Sequence, residues 1–145
     1  MNGGIKGVAL GISLIAALAV TGMPAGATTQ SVDSEAAAAA KGARLQIRMV
    51  VVTQGTVPVR IKRFRFRGLL VSCAGGETEN IKGRIRTMDV DNNRFGRTIR
   101  RQGRRVHVEG RFRQGGSVVR GKIRARGRFG GQRGCDSGVV RWVAR

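Results

Sequence analysis

The chain has 145 residues, of which 28 are Lys or Arg and 8 are Asp or Glu, so its formal net charge is +20. This length has room for one domain but not for two. With one His and two Cys the chain also lacks the ligands of a structural metal site. A field of this strength attracts polyanions and adds self-repulsion to the cost of folding.

Residues 1–27 are predicted to be a secretory signal peptide. Lys6 precedes an uncharged apolar run from Gly7 to Val20, which is shorter than the ~20 residues that span a bilayer and typical of a signal sequence. The small residues Ala25 and Ala27 favour cleavage after Ala27, with an uncleaved membrane anchor as the alternative. We therefore expect a secreted or extracytoplasmic chain with no transmembrane span after cleavage.

Residues 28–43 are predicted to be a linker or a short helix. Ser34 and Glu35 precede the alanine run Ala36 to Ala40, and Gly42 follows as a stop signal. Isolated helices of this length are marginal in water, which favours the linker.

Residues 44–145 are predicted to form a basic all-β domain. Apolar and polar residues alternate with the period of a half-buried strand, and an extra residue near Lys62 and Arg63 indicates a bulge or a bend. Short turn signals such as Gly75-Gly76 and Gln102-Gly103 separate the runs. We expect a single antiparallel β-sandwich or small barrel of about seven short strands. The inward-facing apolar positions that define the predicted strands are Leu45, Ile47, Met49, Val51, Val57, Val59, Ile61, Phe64, Phe66, Ile81, Ile85, Val106, Val108, Phe112, Val119, Ile123, Ala125, Phe129, Val140, Trp142 and Ala144.

Glycine recurs on the inward phase of these strands, before a basic residue and then Ile or Phe. The positions are Gly83, Gly110, Gly121 and Gly127. Glycine within a strand often allows a neighbouring group to approach closely, so we expect these positions to make room for the Phe rings and Trp142.

Cys73 and Cys135 are the two cysteines of the chain. An even count in a small secreted domain predicts a disulfide. The ending Gly134-Cys135-Asp136-Ser137-Gly138, followed by Val140, Trp142 and Ala144, resembles the tail of small secreted bacterial β-sandwich domains that close on Gly-Cys-x-Ser/Thr-Gly-x-Val-x-Trp-x-Ala. The resemblance covers about the last 80 residues and implies the fold and the disulfide. It implies no activity.

The sequence predicts neither a catalytic site nor a cofactor. His107 lies two residues from Glu109, a spacing that suits an acid–base pair, although a surface histidine among charges is the simpler interpretation. Asp89, Asp91 and Asn93 have the spacing that begins a calcium loop. Arg94 then stands where that loop has Gly, so we expect a plain turn and no metal.

The predicted binding surface is a basic face. If the polar faces of the strands align, their guanidinium groups form one patch that binds anionic polymers through counterion release. Possible partners are anionic polysaccharide, an envelope polymer or lipid head groups. Sequence-specific nucleic acid is not expected, because the chain has no Tyr and few rings are left exposed for stacking. The rings on inward phases are Phe64, Phe66, Phe112, Phe129 and Trp142. The residues of this face are Arg63, Arg65, Arg67, Arg84, Arg86, Arg111, Arg113, Arg120, Lys122, Arg124, Arg126 and Arg128.

Three functional hypotheses follow. The first is a secreted, non-enzymatic β-sandwich module that associates with anionic polymers or envelope surfaces through this face. The second is a structural or accessory envelope protein with a protein partner, in which the basic face is only solvated surface and the Arg excess reflects coding composition. The third is an enzyme or ligand carrier whose pocket the sequence does not reveal.

Overall fold

The computed structural model describes residues 27–36 and 44–145. The predicted signal peptide, apart from Ala27, lies outside these residues. Within the two described ranges, no helix is long and apolar enough to cross a membrane.

Nearly all of the described chain is antiparallel β-strand, which confirms the predicted all-β class. The elements are β1 (Ala27–Ala36), β2 (Leu45–Gln54), β3 (Val57–Ser72), β4 (Thr78–Asp89), β5 (Arg94–Arg101), β6 (Arg104–Arg113), a 3-10 turn (Gln114–Gly116), β7 (Val118–Phe129), β8 (Gln132–Asp136) and β9 (Val140–Ala144).

The strands form one curled sheet. β1, β2, β3 and β4 pair in succession, as do β5, β6 and β7, while β8 and β9 both pair with β7. β4 lies next to β5, and β1 lies next to β9. The sheet is therefore curled, so that both outer strands of the β1–β4 part lie beside strands of the β5–β9 part. The arrangement is closer to the small barrel than to the sandwich of the prediction.

The prediction of a linker or short helix over residues 28–43 was wrong for its first part. Residues 27–36 form β1, which runs antiparallel to β2 from Ala27 opposite Gln54 to Ala36 opposite Leu45. Strand pairing uses main-chain groups, so it does not require the alternating apolar pattern by which strands are recognised in a sequence. Residues 37–43 lie outside the described part.

Aromatic rings fill the middle of the core. The Phe64 and Trp142 ring centroids are 5.6 Å apart, and Phe95 packs against both Phe112 and Trp142. The predicted inward orientation is confirmed for every ring named in the sequence, and Phe95 adds one that was not predicted. The buried rings are Phe64, Phe66, Phe95, Phe112, Phe129 and Trp142.

The inward glycines make room for these rings, as predicted. A Cβ atom added at three of them would overlap an aromatic side chain, and the pairs are Gly83 with Phe66, Gly110 with Phe95, and Gly121 with Trp142. Gly127 is needed for a different reason. Its φ is +120°, and a Cβ atom there would overlap the Gly103 carbonyl oxygen.

β3 bends at the predicted bulge. Val50 is opposite Arg63 and Val51 is opposite Ile61, so Lys62 is the extra residue. A second shift in the β2–β3 register follows at Val52 and Thr53. It reverses the predicted phase at the start of β3, where Val57 is 57% exposed and Pro58 is buried instead.

The disulfide between Cys73 and Cys135 is present and joins positions 62 residues apart. It links the chain that leaves β3 to β8, beside the single pair that joins those two strands, Ser72 opposite Asp136.

Candidate anion-binding surface

The twelve predicted basic residues all lie on the outer face of the sheet. Ten are exposed, and Arg63 and Arg124 are half-buried. The strand ladders bring them together as two groups, one on β3 and β4 and the other on β6 and β7. β5 stands between the groups in the curled sheet.

The first group contains four arginines that face one another across two strands. Arg63 lies opposite Arg86, and Arg65 lies opposite Arg84; we call these four the arginine quartet. Among the described residues, no acidic side chain forms an ion pair with any of them. Like charges directly opposite are destabilising, so this surface would gain from a bound anion.

The pKa of Arg84 shows the crowding of the quartet. It is lowered from its usual value, first by desolvation and then by repulsion from Arg63, Arg86 and Arg65. Even so, the Arg84 guanidinium remains protonated at physiological pH.

The second group is partly neutralised by Asp136. Its carboxylate accepts hydrogen bonds from Arg124 Nε and Nη2, at 3.0 and 2.6 Å, and from Arg126 Nε at 2.9 Å. The backbone N–H of Gly138 also donates to Asp136. These two predicted binding arginines therefore hold the tail of the chain in place and are poorly available to a ligand.

The predicted tail motif has a structural explanation in the same contacts. Ser137 follows Asp136 and pairs with Ala125, because its backbone N–H donates to the Ala125 carbonyl and its Oγ accepts from the Ala125 N–H, both at 2.9 Å. The chain then enters β9, where Trp142 and Ala144 are buried. The motif thus fastens β8 and β9 onto β7.

A basic groove of about 630 Å³ lies over β5, β6, β7 and β9. Its base is at Gly110 and Gly121, which are cross-strand partners, and Phe95 and Trp142 also contribute to its lining. One acidic residue, Glu109, contributes to the lining. Six basic residues surround it: Arg94, Arg111, Arg113, Arg120, Lys122 and Arg141.

Two of these six were not predicted. Arg141 stands on the outward phase of the last predicted strand, between the inward Val140 and Trp142, so the sequence did contain its signal. Arg94 begins β5, a strand that the sequence did not reveal. The register then places Arg94, Arg111 and Arg120 side by side on three strands.

Trp142 is suited to report on this groove. It is the one Trp of the chain, it is 2% exposed, and its buried Nε1 has no hydrogen-bond partner among the described groups. Since Trp142 contributes to the lining of the groove, a bound ligand is expected to change its fluorescence.

His107 and Glu109 belong to a polar network beside the groove. His107 Nδ1 lies 2.8 Å from Thr98 Oγ1, and Nε2 lies 3.4 Å from Glu109 Oε2. Lys122 Nζ lies 3.4 Å from the other Glu109 oxygen. The pKa of Glu109 is lowered, chiefly by its hydrogen bond with His107 and also by Lys122, against a smaller opposing effect of burial.

The network has the order of hydroxyl, imidazole and carboxylate that nucleophilic catalysis uses. Its His107 and Glu109 side chains are 45% and 46% exposed, however, whereas such chemistry depends on a site from which water is excluded. We therefore interpret it as a surface network that keeps Glu109 ionised.

The segment with calcium-loop spacing is a turn, as predicted. Asn92 and Asn93 have φ values of +49° and +60°, and Asp89 forms an ion pair with Arg60 at 3.0 Å. In the part of the chain that the structure describes, no three His, Cys, Asp or Glu side chains are grouped so that they could hold a metal ion.

Comparisons of the chain with protein-family models, with curated proteins and with solved structures found no match. The function is therefore inferred from the geometry of the surface itself.

Proposed function

We propose that this protein is a secreted, non-enzymatic β module that associates with anionic polymers or envelope surfaces through arginine. The observation that carries the proposal is the basic groove, whose lining has six basic residues and one acidic residue. The secreted location is supported by the disulfide and by the signal-like amino terminus, since disulfides persist in oxidising compartments.

The groove suits an extended ligand that carries several negative charges along its length. Arg94, Arg111 and Arg120 are neighbours on three successive strands, and strands lie about 4.8 Å apart. The planar guanidinium binds carboxylate, sulfate or phosphate groups with two parallel hydrogen bonds. An extended polyanion crossing the strands would therefore meet one arginine after another.

The arginine quartet supports the same proposal from a second surface. Its four guanidinium groups repel one another, and anions that displace the counterions around them relieve this repulsion. Because the aromatic rings are buried, no stacking on bases is expected, and binding should depend on charge density rather than on nucleotide sequence.

The test is a titration of the purified, oxidised full-length chain, followed by Trp142 fluorescence. The probes are dextran sulfate, polyphosphate, and vesicles of phosphatidylglycerol or of phosphatidylcholine, each over a salt series. The groove variant is R94Q/R111Q/R120Q/R141Q. The matched control, R67Q/R128Q/R133Q/R145Q, loses the same charge at residues that do not line the groove.

We expect micromolar or tighter binding to the anionic probes near physiological salt, with log K falling linearly as log salt rises. The groove variant should bind at least about tenfold more weakly, and the control no more than about threefold, because each bidentate contact contributes more than diffuse charge. Equal losses in the two variants, or equally weak binding by every form, would contradict the proposal and favour a protein partner.

A further inference from the structure

The curled sheet has a seam between β4 and β5. These strands lie side by side, yet within residues 27–36 and 44–145 no ladder of backbone hydrogen bonds joins them. Arg97 bridges the seam instead, because its Nη1 donates to the carbonyls of Arg86 and Thr87 at 3.0 and 2.6 Å. The strands are thus fastened near the turn that connects them.

Away from that turn the seam opens into a cavity of about 210 Å³, which we call the seam cavity. The buried side chains of Phe66, Ile85 and Phe129 form its floor. The partly buried Ile81, Ile99 and Val106 line its walls. A cavity with this lining favours an apolar ligand.

The rim of the seam cavity is basic. Lys82, Arg84, Arg101 and Arg104 contribute to the lining, and no acidic residue of the described ranges does. The Arg104 guanidinium carbon lies 5.8 Å from the centre of the Phe129 ring. The cavity therefore combines an apolar interior with a cationic entrance.

Two of these arginines occupy positions where the alternation calls for an apolar side chain. Arg101 follows Ile99 at a spacing of two, and Arg104 precedes Val106 and Val108 in the same way; the two arginines are also cross-strand partners. Both are exposed and have no acidic partner among the described residues. Two guanidinium groups on the inward phase, with no described carboxylate to neutralise them, mark this end of the hairpin as an entrance for an anion.

We infer that the seam cavity binds a single-chain anionic amphiphile, with its apolar tail between β4 and β5 and its carboxylate or sulfate head on Arg101 and Arg104. If a methylene occupies about the 30 Å³ of a liquid water molecule, the cavity holds about seven carbons. This inference does not rest on the proposed function, because the groove lies on the outer face and selects charge alone.

The test is calorimetry of the purified, oxidised full-length chain with acetate, butyrate, hexanoate, octanoate and decanoate. Affinity should rise roughly fourfold for each added methylene that is buried and level off near octanoate. R101Q/R104Q should weaken octanoate binding at least about tenfold. The charge-matched control R111Q/R120Q, in the groove, should leave it within about twofold.

A cavity-filling variant separates the contribution of the apolar tail to binding from that of the charged head. I99F places a larger apolar group in the wall and should abolish the gain with chain length while leaving polyphosphate binding unchanged. Equal affinity for all five carboxylates, no measurable binding, or equal losses in the two arginine variants would overturn the inference. If the wild type binds octanoate but does not bind polyphosphate, the proposed function alone is contradicted.

Discussion

Gly121 shows how a single residue sets the packing of the core. A Cβ atom at residue 121 would overlap both the Trp142 ring and the backbone carbonyl oxygen of Glu109. G121A should therefore destabilise the protein by about 1–3 kcal/mol, the usual cost of overpacking, even though Ala suits a strand better than Gly. Urea unfolding followed by circular dichroism measures the effect.

Gly75 provides the control for this substitution. A Cβ atom there meets no other group within 4 Å, and its φ is not in the left-handed region. G75A should stay within about 0.5 kcal/mol of the wild type. If G121A is as stable as G75A, the glycine is not needed to accommodate the ring.

Individual basic residues show how far the sequence could predict the surface. Period-two alternation placed all twelve on the outside, because a strand directs successive side chains to opposite faces. It could not predict which ones are neutralised. The pairing of Arg124 and Arg126 with Asp136 depends on how β8 returns along β7, and the crowding of the quartet depends on the register of β3 against β4.

Among the elements, the link between the end of β3 and β8 depends on the disulfide. Apart from the disulfide, β3 and β8 share one paired position, so few other contacts hold these two strands together. We expect C73A/C135A to lose about 2–5 kcal/mol of unfolding free energy, since the bond closes a long loop. The urea midpoint of the wild type should fall similarly in a phosphine reductant, and the reductant should leave the midpoint of C73A/C135A unchanged. An unaltered midpoint on reduction would show that the bond is structurally dispensable.

The strands that sequence reasoning missed lack a clear alternating pattern of apolar and polar residues. β1 has no alternating pattern, and the five-residue β8 is too short to show one. β5 interrupts its inward phase of Phe95 and Ile99 with Arg97 and Arg101. Arg97 can stand there because the seam gives its guanidinium two carbonyls in place of the core. The alternating pattern is therefore absent in β1, too short in β8, and broken in β5 where the strand borders the seam.

For the molecule as a whole, the charge of +20 should make stability rise with salt. Screening shortens the Debye length from about 30 Å at 0.01 M to about 10 Å at 0.1 M, which weakens repulsion more than it weakens the few ion pairs. We expect the melting temperature to rise by at least a few degrees between 10 and 200 mM NaCl. R63Q/R65Q/R84Q/R86Q should show a smaller rise, and a melting temperature that falls with salt would contradict this account.

The seam also gives the sheet two strand edges that face each other and lack a ladder. Such edges can recruit a strand from another copy and start aggregation, and natural sheets commonly protect them with charge. The β4 edge carries Lys82, Arg84 and Arg86, and the β5 edge carries Arg97 and Arg101. A second copy of the protein that approaches either edge is therefore repelled by like charge. An excess of polyanion would neutralise that charge, and the ligand that the surface attracts would then promote pairing of strand edges between copies of the protein.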